Sequence, residues 1–137
     1  MRHSSMFGRV LPFVFVVIAG CGGPSEYAVT GTERAAGADG TVMVERIEGG
    51  NYLVTLDLEH LPPPDRLGSG LTTYVVWFVP ENAQATMAGR LEYDADERTG
   101  QMRATTPLTN FDVTITAERA DAVGSPGEVV VMRRRVE

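Results

Sequence analysis

The sequence predicts an all-β fold: one antiparallel β-sandwich of seven to eight strands, placed after an N-terminal signal peptide. Three observations predict it. From Tyr27 onward apolar and polar residues alternate at a period of two, the pattern of strands with one face in a core and one in water. Clusters containing Gly and Pro interrupt that alternation about every ten residues, the spacing expected of a sandwich. No segment of residues 27–137 carries apolar residues at the spacing of an amphipathic helix.

Residues 1–20 form the first unit. Arg2, His3 and Arg9 make a basic start, and Val10 to Ile18 is apolar except for Pro12. That run is shorter than the roughly 20 residues needed to span a bilayer and has the length of a signal h-region. Ile18-Ala19-Gly20-Cys21 follows directly and holds the single Cys of the chain. This tetrapeptide resembles the lipobox of bacterial lipoproteins, in which a large aliphatic and two small residues precede a Cys. The resemblance implies cleavage before Cys21, a thioether-linked diacylglyceryl group on its sulfur, and acylation of the new amino terminus with a fatty acid such as palmitate. Each buried CH₂ of such chains contributes about 0.8 kcal/mol, so two or more chains anchor stably where one does not. Gly22 stands where an Asp resembles an inner-membrane retention signal, so the outer membrane is favoured. Residues 21–26 then read as the lipidated Cys and a short tether, Gly22-Gly23-Pro24-Ser25 being flexible.

Residues 27–137 form the sandwich domain. Tyr27–Gly31 is a short first strand, and Thr32–Gly40, small and polar, a loop. Thr41–Glu48 is the second strand. Gly49-Gly50-Asn51 supplies the residues that tolerate positive φ in a tight hairpin. Tyr52 to His60 is the third, with Tyr52, Val54, Leu56 and Leu58 inward and Thr55, Asp57 and Glu59 outward. Leu61-Pro62-Pro63-Pro64 ends it, since Pro donates no ladder hydrogen bond. Thr72–Val79 is apolar on both faces, which suits a central strand covered on both sides. Thr86–Tyr93 is the next strand, weakened by Gly89, and Gln101–Thr105 follows the polar hairpin loop Asp94–Gly100. Phe111–Glu118 alternates cleanly, with Phe111, Val113, Ile115 and Ala117 inward. Glu128–Met132 closes the fold as a Val-rich strand. The single Trp, Trp77, lies in the central strand, as in immunoglobulin-like sandwiches; a single Cys excludes their inter-sheet disulfide.

Leu71-Thr-Thr-Tyr-Val-Val-Trp-Phe-Val-Pro80, Ala88-Gly89-Arg90-Leu91, Phe111-Asp-Val-Thr-Ile-Thr-Ala-Glu118 and Gly124-Ser-Pro-Gly127 occur in this order. Together, over about residues 52–131, they resemble the extracytoplasmic C-terminal domain of anti-sigma-K factors. Similar β-domains occur in small secreted lipoproteins, to which this chain is closer in kind. The resemblance implies the fold and not the regulatory activity, because an anti-sigma factor needs a cytoplasmic sigma-binding segment and a membrane helix, and Cys21 leaves room for neither.

Charge and composition narrow the function classes. Eighteen acids oppose 12 bases, all of them Arg, for a formal net charge of −6. Losing residues 1–20 removes Arg2 and Arg9 and no acid, making the remainder more acidic still. Such a chain cannot neutralise phosphates over a broad face, so nucleic acid is not an expected partner. One Cys excludes a Cys-rich zinc site. His60, the single His of residues 21–137, could act as a general base only with a nucleophile and an orienting group. Ser69 is near in sequence but lacks the Gly-x-Ser-x-Gly elbow, and no spacing of acids around His60 supports a metal site; a solvent-exposed strand-end His is expected. Asp94, Asp96 and Glu97 have the acid density of a calcium loop, but a ligand offset is missing and Arg98 intrudes, so a charged hairpin turn is expected. Arg133-Arg134-Arg135 could meet anionic lipid, although a charge run at a chain end is ordinarily solvated. Trp77 is expected in the core, and if the face carrying Val75, Trp77 and Val79 were bare it would be a partner surface. The expectation is therefore a non-catalytic binding or structural module, lipid-anchored through Cys21. It needs no cofactor and meets another envelope protein or an extracellular ligand. The alternatives are a small hydrolase or metal-dependent enzyme using His60, and an accessory subunit of an envelope stress-sensing system.

Overall fold

The computed structural model describes residues 23–121 and 124–137. The signal segment and the lipobox residues Ile18, Ala19, Gly20 and Cys21 lie outside the described residues. Among the described residues nine strands form two antiparallel sheets. The first sheet has the order β1-β2-β3-β7-β6, made of Ser25–Thr30, Asp39–Arg46, Tyr52–Glu59, Thr99–Thr106 and Glu92–Asp94. The second has the order β5-β4-β8-β9, made of Thr86–Arg90, Thr73–Pro80, Phe111–Glu118 and Val130–Val136. Among the described residues no helix is long and apolar enough to cross a membrane.

The residues expected inward on the strands at 52–60 and 111–118 are buried, except Tyr52, which is half-buried and outside the core cluster. Val54, Leu56 and Leu58 of β3 and Phe111, Val113, Ile115 and Ala117 of β8 are all buried in one hydrophobic cluster. Tyr74, Val76 and Phe78 of β4 join it from the same side as the β8 residues. Phe78 and Phe111 stack at 5.0 Å between centroids, inclined by 60°. The ninth strand comes from a correction. The stretch Thr86–Tyr93 is not one strand but two, and the chain changes sheet at Leu91. The Leu91 N–H donates to the Tyr74 carbonyl at 2.9 Å, holding the chain to β4 as it crosses. Its side chain drops into the core, where only a Gly at position 100 leaves room: a Cβ there would stand 2.2 Å from Leu91 Cδ2.

Other boundaries move too: β1 begins at Ser25, inside the expected tether of residues 21–26, and β7 begins at Thr99, inside the expected loop Asp94–Gly100. Asp39 and Gly40, expected in a loop, begin β2, because Gly40 lies flat against the Asp57 carbonyl and Leu58 of β3. Residues 133–136, expected as a solvated end, continue β9 through Val136, which is buried. Opposite Leu91 the second edge of the sandwich is also tied: Gly31, just past β1, bridges Met132 of β9, and the Thr32 N–H donates to the Val131 carbonyl at 2.8 Å.

The Pro-rich crossover from β3 to β4 is clamped from below. The phenol of Tyr74 donates to the Pro62 carbonyl and that of Tyr93 to the Leu61 carbonyl at 2.7 Å. The two rings meet edge to face, 5.3 Å apart at 75°. This clamp fixes the segment that follows His60.

Candidate functional site

The described side chains that combine metal-ligating chemistry and proximity are Asp39, Glu59 and His60, whose ligand atoms all lie within 4.8 Å of one another. Strand register brings them together. Asp39 opens β2, Glu59 closes β3, and the two are direct Cα partners in the antiparallel ladder. Like charges placed opposite one another destabilise a strand pair, so this end of the ladder has a reason to attract a cation. His60 follows in the left-handed conformation, with φ of 58°. Non-Gly residues adopt that region rarely; here the turn puts the imidazole back beside β2. Its Nδ1 lies 2.6 Å from Asp39 Oδ1.

The pair is exposed, with 69% of the His60 side chain and 52% of that of Asp39 in solvent. The hydrogen bond to Asp39 and then its charge raise the imidazole above its ordinary value of 6.5, with a smaller push from Glu59. When His60 is protonated the trio still carries one uncompensated negative charge, since among the described residues Glu59 makes no ion pair. An adjoining groove of about 290 Å³ runs along the outer face of the first sheet, lined by Asp39, Thr41, Asp57, Glu59, Thr99 and Gln101. The arrangement offers one nitrogen and several oxygen donors at an open groove end. Ser69 is an exposed loop residue, and the His60 Nδ1 contact is with Asp39.

The remaining sequence candidates are placed as follows. Asp94 Oδ1 accepts from the N–H groups of Asp96 at 3.0 Å and Glu97 at 3.2 Å, closing the turn between β6 and β7. Asp94 is thereby engaged with the backbone, and Asp96 and Glu97 lie exposed on the turn. Arg135 is half-buried near Asp112 at 3.5 Å and Glu81 at 3.6 Å, while Arg134 covers the Tyr27 ring at 5.5 Å. Two of the three arginines are thus engaged within the domain. Val75 and Trp77 have no exposed surface, and Val79 is half-buried. Val75 and Trp77 lie on the β4 face opposite Tyr74, Val76 and Phe78, outside the inter-sheet cluster. The Trp77 indole N–H donates to Thr116 Oγ1 at 2.8 Å. Nothing local in the sequence marks Asp39, because its partners stand 20 and 21 positions away and only the β2–β3 register joins them.

Searches with family models, among curated proteins and among solved structures found no match to this chain. The class defined by fold and geometry is an acidic all-β sandwich with an exposed His–Asp–Glu trio at one end of its first sheet.

Proposed function

We propose that the chain is a cell-envelope lipoprotein, held on a membrane through Cys21, whose β-sandwich works as a non-catalytic binding or structural module. One observation carries this reading: Ile18-Ala19-Gly20-Cys21 closes an apolar run behind a basic start, on the single Cys of the chain. The first strand starts at Ser25, so the tether is shorter than the expected residues 21–26. Four residues span at most about 14 Å fully extended, so an anchor at Cys21 keeps the sandwich against the headgroups. The geometry at His60 is compatible with binding: its acids converge with it on an open surface, and its Nδ1 contact is with Asp39. The partner is another envelope protein or an extracellular ligand, with the outer membrane as the favoured location.

The test is mass spectrometry of the amino terminus, with labelled palmitate and membrane partitioning of Cys21→Ala. A diacylated residue 21 and release of the variant from membranes are expected. An unacylated terminus, or a variant that partitions as the parent does, overturns the reading. Co-purification with a membrane-spanning partner would turn the module toward an envelope stress-sensing system, as the resemblance over residues 52–131 suggests.

A further inference from the structure

We propose that Asp39, Glu59 and His60 form a binding site for one divalent transition-metal ion of the zinc type, at the open end of the groove on the first sheet. The inference does not depend on the lipid anchor, since all three ligands belong to the described body of the sandwich.

The donor set is an imidazole nitrogen and two carboxylates, the chemistry that suits zinc and its first-row neighbours rather than calcium or magnesium. The distances are near what one ion demands. Donors bound at 2.0–2.2 Å stand no more than about 4.2 Å apart and about 3.4 Å apart in a tetrahedron. For a tetrahedral ion the widest spread, at most 4.8 Å, has to close by up to about 1.4 Å. The tightest contact, 2.6 Å between His60 Nδ1 and Asp39 Oδ1, has to open by about 0.8 Å. All three side chains are exposed and free to make those adjustments. The backbone beneath them is not: Asp39 and Glu59 are locked in register, and the Leu61 N–H after His60 is tied to the Arg98 carbonyl at 3.0 Å.

In the metal-free state His60 Nδ1 and Asp39 Oδ1 hydrogen-bond to each other at 2.6 Å, and a bound ion would stand between them in place of that contact. Asp39 and Glu59 face each other across the ladder, and a doubly charged ion would neutralise both. Three protein ligands leave the ion at least one position facing the groove, where the oxygens of Thr41, Asp57 and Gln101 line the wall. A metal here would thus present an open coordination position to whatever acidic or carbonyl group enters the groove.

The test is calorimetric titration of zinc into the full chain carrying Cys21→Ala, which removes a competing thiol, and His3→Ala, which removes a competing imidazole. One zinc ion per chain is expected, with the His60 ring resonances shifting on binding. His60→Ala, Asp39→Asn and Glu59→Gln are each expected to weaken binding more than tenfold, with circular dichroism showing the β fold retained in each. A tenfold excess of calcium is expected to leave zinc in place. Absence of binding at millimolar zinc overturns the proposal. So does a His60→Ala protein that binds zinc as its parent does, or calcium that displaces zinc, since either outcome means counterion attraction to acidic surface.

Discussion

The phenol of Tyr74 is the group whose loss the fold should feel most cleanly. Tyr74 is fully buried near the start of β4, and its hydroxyl donates to the Pro62 carbonyl while its ring meets Tyr93 edge-on. Tyr74→Phe keeps the ring, and with it the aromatic contact and most of the volume. It deletes one hydrogen bond and leaves a carbonyl at the Pro-rich crossover without its partner. The net worth of such a bond, with the cost of the orphaned acceptor, is about 1–2 kcal/mol. For a body of this size that is a fall of about 4–8 °C in the thermal midpoint. In urea it is a shift of about 1 M, at unchanged slope. Trp77, three positions along the same strand and without exposed surface, reports the unfolding by fluorescence. The pH dependence gives a second arm. Burial raises the Tyr74 phenol far above its ordinary value of 10, and burial also leads the rise at Tyr93. The folded chain keeps these protons where the unfolded chain gives them up, so stability falls as pH climbs beyond about 10. Tyr74→Phe should flatten part of that fall. A midpoint shift under about 0.2 M urea, or an alkaline profile identical to that of the parent, would refute the assigned clamp.

Three further outcomes follow from particular contacts. Thr116→Val should cost about 1–3 kcal/mol by stranding the buried Trp77 indole N–H; a cycle with Trp77→Phe, read by circular dichroism, should recover most of that energy as coupling. Gly40→Ala should cost more than about 2 kcal/mol, because its Cβ would stand 2.3 Å from the Asp57 carbonyl oxygen and the β2–β3 pair must part to admit it; urea unfolding measures the loss, and an unchanged midpoint contradicts the register. Arg135→Ala should change stability by less than about 1 kcal/mol, because its partners stand 3.5–4.0 Å away and are partly or largely exposed; a thermal melt at low and high salt checks this.

Local pattern carried much of the fold into view. Phe111–Glu118 is a strand with the limits that its alternation implies, and Val54, Leu56 and Leu58 point inward as their spacing requires. Both follow from a property of a few consecutive residues: a pleated chain sends alternate side chains to opposite faces. The break at Leu91 has no such local mark. Residues 86–93 read as one strand because each has acceptable strand character; the crossing is decided by the hydrogen bond to Tyr74 and by the space left at Gly100. The arginine run likewise looked like a loose end until pairing with β8 drew it into β9.

The His60 cluster divides the same way. That residue 60 ends a strand, exposed and next to a Pro-rich stop, is written in the residues around it. That Asp39 stands beside it is not, because the two are 21 positions apart and meet only through the β2–β3 ladder. The sequence by itself determined the β character of the chain and the inward set of its clearest strands. Tertiary structure alone decided which strands became neighbours, and therefore which charges met. Strand propensity and alternation are properties of the local backbone, whereas register is chosen by the whole set of side chains that must enter one core together.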